Sequence, residues 1–330
     1  MTLQRRRILT GAAALSSTLA APWVHAQKSD KVKLSWLPIM QTTALYVAVQ
    51  DRLFERAGLD VELVQFQNPN QIIDSLVANQ ADAGAPGAAA GITILAESRY
   101  PGSFKVFGLQ GGGIKVNRVN DALIVKNGSS IKSFKDLRGK SLGHLPGIQW
   151  RTISRHMLRA NGLDPDKDVR LQEMAVGLQV QSVVAGSVDA TLSLEPVGSI
   201  AVASGEATLA IVNPCSQVIA DPFYSGVSVL TTQFIKQRPQ VARKLVQVLD
   251  QATRIANTEF DRVRPYFAKY TAMKGDNVRV IAQPYLRGWN ELNDTDIKSY
   301  QALVDVFHKE GVLKERIDVK TVLLKASDFA

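Results

Sequence analysis

Two loops carry the residues best suited to chemistry. One reads Pro38-Ile39-Met40-Gln41-Thr42, the other Pro146-Gly147-Ile148-Gln149-Trp150-Arg151. Each follows a strand-like run, is broken by proline, and runs into a helical pattern. Up to four backbone N–H groups at a helix start lack intrahelical partners. Together with the helix dipole they suit a small anionic group such as a carboxylate. Each such contact contributes roughly 0.3–1 kcal/mol when exposed and more when partly buried. Gly84-Ala85-Pro86-Gly87 and Leu194-Glu195-Pro196 close two further strand-like runs, and Tyr224-Ser225-Gly226 offers a fifth wall. Gly84, Gly87 and Gly147 allow close backbone approach.

Individual side chains leave alternatives open. Trp150 either packs a domain core or forms a stacking wall. Arg151 is a solvated helix residue or the cation nearest an anion site. Gln41 and Gln149 are ordinary loop residues or hydrogen-bond partners of a ligand. Glu195 caps a helix, serves a hinge or meets a cationic group, and Tyr224 divides between hinge packing and ligand contact. Ile39 and Met40 give an apolar surface for the carbon skeleton of an organic ligand.

Catalytic constellations are scarce. Of four histidines, His25 lies in a segment expected to be removed, and His144, His156 and His308 are scattered. No Cys/His spacing suggests zinc, and no catalytic residue, metal or cofactor is expected. Gly111-Gly112-Gly113 lacks the Lys-Ser/Thr of a phosphate loop. No G-x-S-x-G elbow occurs. Cys215 stands alone, so no internal disulfide is available.

The elements that position these loops come in a repeated order. From Lys31 the pattern reads strand, helix, strand, helix, strand, ending at ADAGAPG. From Lys140 it reads the same, ending at VDATLSLEP. Leu37-Pro38 returns as Leu145-Pro146 after 108 residues (145 − 37), and Asp82 returns as Asp189 after 107 (189 − 82). Strands alternating with helices imply parallel βαβ units with right-handed crossovers. Ligands sit at the carboxyl ends of such strands, where both proline loops lie. Asp82 and Asp189 lie at the other ends and read as structural turns that bind backbone N–H groups. ALYVAVQDRLFERAG reads as one helix. DALIVK and YSGVSVL read as the segments crossing between halves, and the C-terminal part is helical.

With 330 residues, 45% apolar and 21% charged, the chain has ordinary globular composition and the length of two domains. No run of 18 apolar residues occurs after residue 26. Residues 1–26 read as an export signal: Arg5-Arg6-Arg7, an apolar stretch, then Val24-His25-Ala26, through the twin-arginine or the Sec route. Loss of those three arginines lowers the formal charge from +9 to +6. No basic run with interleaved aromatics points to nucleic acid.

"ERAGLDVELVQF", "SLVANQADAGAPG", "FKDLRGKSLG" and "LEPVG", with the export signal, resemble periplasmic substrate-binding proteins of the nitrate/sulfonate/taurine and thiamine-precursor type. The resemblance runs from about Lys31 to the last helix. It implies the type II periplasmic-binding-protein fold, two doubly wound α/β lobes on a two-segment hinge. Lobe 1 is expected from 27–122 and 225–330, and lobe 2 from 123–224. It further implies a periplasmic monomer that captures a small-molecule ligand and delivers it to the permease of an ABC importer. The alternatives are a sensor docking a membrane receptor and a thiamine-pyrimidine binder or enzyme. The cysteine-rich motif of those enzymes is missing here.

Overall fold

The first unit has the expected order: β1 (Asp30–Trp36), the helix Thr43–Gln50, β2 (Leu59–Gln65), the helix Pro69–Val77 and β3 (Ala83–Ala89). The computed structural model describes residues 30–273 and 275–330, so the expected export segment lies outside the described residues. Strand β1 pairs in parallel with both β2 and β3. After β4 (Phe104–Gly112) and β5 (Asp121–Lys126) comes the second unit: β6 (Lys140–His144), the helix Ile148–Ala160, β7 (Val169–Glu173), the helix Gln179–Val184 and β8 (Ala190–Leu194). Strand β6 pairs in parallel with β7 and β8. The registers also repeat. Leu34 faces Ala83 and Ser35 faces Gly84, as Leu142 faces Ala190 and Gly143 faces Thr191.

The chain then forms β9 (Ala207–Val212), β10 (Phe223–Thr231) and β11 (Tyr285–Arg287). The first sheet has the order β11-β4-β10-β3-β1-β2 and the second β7-β6-β8-β5-β9. Each sheet with its helices is a lobe, lobe 1 on the first sheet and lobe 2 on the second. Strands β10 and β5 are antiparallel additions beside β3 and β8.

The two aspartates tie each unit together. The Lys33 N–H donates to Asp82 Oδ2 at 2.9 Å, and the Ser141 N–H donates to Asp189 Oδ2 at 2.8 Å. Their partners sit on the first strand of the unit and not within a local turn. The carboxylate therefore pins the start of the third strand to the first.

Two expectations shift. DALIVK and YSGVSVL are strands β5 and β10, each inside one sheet. The chain crosses between sheets just before each of them, at 113–120 and 213–222. Asp121 and Ala122 pair with β8, while Phe223 and Tyr224 pair with β4. The expected single helix after β1 breaks at Asp51-Arg52, where Arg52 is left-handed (φ 55°) and the Asp51 carboxylate is held by Arg262 at 2.8 Å.

One apolar cluster runs through both lobes, joining Leu37, Ile39 and Phe307 to Leu145, Trp150 and Ile153. Gly91 is required where the Phe307 ring occupies the space a Cβ would fill. No described helix is long and apolar enough to cross a membrane.

Candidate functional site

The two proline loops meet where the lobes touch. Leu37, Ile39, Gln41, Gly87 and Ser225 of lobe 1 face Leu145, Gln149, Trp150, Val176 and Leu194 of lobe 2. The seam is closed, with a cavity of about 10 Å³, room for about one water. Small-molecule sites usually span roughly 300–1,000 Å³, far more than the closed seam encloses.

Backbone and amide groups hold the seam shut. The Met40 N–H donates to the Glu195 carbonyl at 3.1 Å, from one lobe to the other. The Gly91 N–H, at the start of the helix Ala90–Arg99, donates to Gln149 Oε1 at 2.7 Å. Gln149 Nε2 donates to the Ser225 carbonyl at 2.8 Å. Gln41 Nε2 donates to Ser225 Oγ at 2.7 Å and to Asn120 Oδ1 at 2.8 Å. The spacing that relates the two proline loops also relates these glutamines (149 − 41 = 108). Duplication has thus placed one glutamine from each lobe on a single serine.

Gly147 precedes the helix Ile148–Ala160 with φ 99°, and a Cβ there would lie 2.6 Å from Asn70 Oδ1 across the seam. Glycine is needed twice, for the backbone angle and for the clearance. Trp150 is 1% exposed, belongs to the shared core and lines the seam. Thr42 donates its hydroxyl to the Leu37 carbonyl at 2.8 Å and staples its loop. Pro38, at the start of its loop, and Ile148, the first residue of its helix, are half-buried.

Several expected site residues point elsewhere. Met40 contributes its N–H, but its side chain is buried in the core behind the first sheet. Gly84, Ala85 and Pro86 lie inside β3 and not in a loop; a Cβ on Gly84 would press on Val229, and Ala85 packs into the core. Only Gly87 of that run reaches the seam, its N–H donating to Gln110 Oε1 at 2.9 Å. Arg151 turns outward into an ion pair with Glu173 at 2.5 Å. The Tyr224 hydroxyl donates to Asp296 Oδ1 at 2.6 Å on the far side of the sheet; burial and Asp296 push the phenol well above its usual range.

Glu195 takes the capping role. Its carboxyl accepts from the Ser199 N–H at 3.0 Å and from the Ser199 hydroxyl at 2.8 Å. Burial raises its pKa against those two donors, and the nearby Asp121 raises it further. Burial also raises the Asp121 carboxyl, which the Cys215 N–H and the Asn120 amide partly offset. His144 is buried against the Leu145 carbonyl, and burial lowers its pKa. No charged side chain is among the described residues lining the seam. No cluster of three or more His, Cys, Asp or Glu among the described residues is placed to hold a metal.

Asn120, Asn70 and Gln110 were not expected at the site. Each is a polar residue reached only through the tertiary fold. The glutamine pair carried a readable signal in the repeat spacing.

Two α/β lobes, each with a β2-β1-β3-type parallel core and an antiparallel addition, meeting at the carboxyl ends of their strands, define the periplasmic-binding-protein fold. The chain belongs to the NMT1/THI5 like family, whose model matches residues 39–259. It is 24% identical over 274 residues, 82% of this chain and 78% of the other, to a Bacillus subtilis (strain 168) protein named for binding aliphatic sulfonates. The alkanesulfonate-binding protein SsuA of Xanthomonas axonopodis pv. citri, solved with MOPS, superimposes with a TM-score of 0.72 at 18% identity, covering 90% of this chain and 98% of that one. A cysteine-to-serine mutant of DszB in complex with biphenyl-2-sulfinic acid gives a TM-score of 0.66 at 16% identity, covering 91% and 98%.

Proposed function

We propose that this chain is the solute-capturing component of an ABC importer. It works in the periplasm as a monomer and hands its ligand to an inner-membrane permease. The ligand is a small organic anion, a sulfonate or a carboxylate, held between the lobes without a catalytic step. The lobes turn about the crossings 113–120 and 213–222, and a ligand that touches both shifts the population toward the closed form.

The observation that carries this reading is the set of donors at the seam. The Met40 N–H, the Gly91 N–H and the Gln149 amide come from both lobes and are met, in the closed form, by protein oxygens. Acid oxygens of a ligand can take their place when the lobes close around it. The apolar faces of Ile39, Leu145 and Trp150 suit a carbon skeleton. The sulfonate-binding name of the Bacillus subtilis relative agrees with this class. Cys215, the single cysteine, is buried with its thiol pushed well up by burial and by Asp121, a poor setting for a nucleophile.

A second reading, a thiamine-pyrimidine ligand, is favoured by the uncharged seam with Asp121 and Glu195 buried behind it. A thermal-shift panel separates the two. A ligand at about 100 times its Kd adds roughly 2.7 kcal/mol of stability. Sulfonates or carboxylates are expected to raise the melting temperature. A shift with aminopyrimidines alone would replace the anion with the pyrimidine, and turnover of a bound compound would remove the transport reading.

A further inference from the structure

Asn120 and Asp121 stand where the first crossing enters the second sheet, with Asn120 in contact with Gln41. Asp121 Oδ2 accepts from Asn120 Nδ2 at 2.8 Å, and Oδ1 accepts from the Cys215 N–H at 3.0 Å. A carboxylate only accepts, so Asn120 turns its NH2 group toward Asp121 and its Oδ1 away. That oxygen also only accepts, so Gln41 faces it with Nε2, at 2.8 Å. The second Nε2 hydrogen goes to Ser225 Oγ at 2.7 Å. Both donors of Gln41 are used within lobe 1 and the crossing, which leaves its acceptor, Oε1, as the group it offers. Oε1 lies over Gly226, where any Cβ would collide with it. Asn120 is itself fixed through its backbone: its N–H donates to Asn213 Oδ1 at 2.8 Å, and its carbonyl accepts from the Glu195 N–H at 2.9 Å.

We propose that Asp121 is a positioning residue of the ligand seam: through Asn120 it sets which way the Gln41 carboxamide faces, and so selects a ligand with a hydrogen-bond donor beside its acid group. This rests on the seam being the ligand site. A ligand that carries an ammonium or hydroxyl group satisfies Gln41 Oε1 on closure. A plain alkyl acid leaves that acceptor buried without a partner, and such an orphaned group weakens binding by roughly tenfold or more. The relay is reversible in logic. With an amide in place of the Asp121 carboxylate, the NH2 faces Asn120, Asn120 turns over, and Gln41 turns with it and presents Nε2.

The test compares taurine and isethionate with ethanesulfonate, which shares the sulfonate but lacks the donor. Calorimetric titration of the wild-type chain is expected to favour the two donors by about tenfold or more. In Asp121→Asn that preference falls to about unity, because Gln41 is inverted. Asn120→Ala breaks the relay while keeping the tie between Asp121 and Cys215, and is expected to lose the preference too. A preference retained in both variants would overturn the proposal, as would equal affinities in the wild type. A ligand-free measurement decides it even where no sulfonate binds and the proposed function fails. The Gln41 side-chain NH2 hydrogens are expected to exchange slowly in the wild type and faster in Asp121→Asn; an unchanged rate would refute the relay.

Discussion

The two duplicated units agree in strand order, register and aspartate tie, and differ in the loop after the first strand. In the first unit that loop closes on itself, with the Thr42 hydroxyl on the Leu37 carbonyl, before the short helix Thr43–Gln50. In the second unit the residue 108 positions later (150 − 42) is Trp150, and the loop leads into the longer helix Ile148–Ala160. The first unit contributes a stapled loop that sets Leu37, Ile39 and Gln41 on the seam, and the second contributes the large Trp150 ring. The glutamine kept in both places sits between them. Duplication supplied the symmetric mouth, and the positions that differ between the loops, Ile39/Gly147, Met40/Ile148 and Thr42/Trp150, give its two sides different chemistry.

The largest effect that sharpens this contrast is on stability. Trp150→Ala removes a fully buried ring and is expected to cost about 3–5 kcal/mol. Thr42→Val, at the matching place, loses one hydrogen bond and is expected to cost about 1 kcal/mol. Urea unfolding reads both, and equal losses would break the contrast.

The aspartate ties come next. Asp189→Ala and Asp82→Ala each strand a backbone N–H on the first strand of a unit, at about 1–3 kcal/mol. The pH response of Asp189 adds a check. Burial raises the Asp189 carboxyl, but the Ser141 N–H and hydroxyl outweigh it and hold the group below the usual range. Its folded pKa is therefore depressed. Its contribution is present above the unfolded carboxylate range and is lost as pH falls through the depressed value. Acid unfolding of Asp189→Ala is expected to show less pH dependence there than wild type; identical slopes would count against the tie.

The smallest effect is at Arg151. Its ion pair with Glu173 is exposed, so Arg151→Ala is expected to change stability by less than about 1 kcal/mol and to leave ligand affinity unchanged. A large loss of affinity would return Arg151 to the site.

Much of the fold was legible because the repeat is written in punctuation. Leu37-Pro38 and Leu145-Pro146 end strands, and Asp82 and Asp189 mark strand starts, at spacings that physics has little reason to produce twice. The site was less legible, for reasons of direction. Tyr224 and Ser225 are neighbours in β10, so their side chains point to opposite faces of the sheet. Sequence cannot say which of the two faces the seam, and Ser225 does. ADAGAPG reads as the closing strand and forms β3, but Gly84-Ala85-Pro86 lies within that strand and not beyond its end at the site; its proline sits where β10 shifts register between Val227 and Val229. A proline is tolerated at such an irregularity. Arg151 comes directly after Trp150 but finds its partner on β7, a contact set by tertiary packing alone. Glu195 and Ser199 stand four residues apart, a helix-start spacing that was readable.

A shared ligand site at the seam requires both glutamines to reach one ligand from opposite lobes. Titrating taurine into the wild-type chain, Gln41→Ala and Gln149→Ala, with urea unfolding to confirm folded protein, tests that directly. Each single variant is expected to bind at least about tenfold more weakly than wild type. Tight binding that neither substitution disturbs would place the ligand somewhere other than the seam.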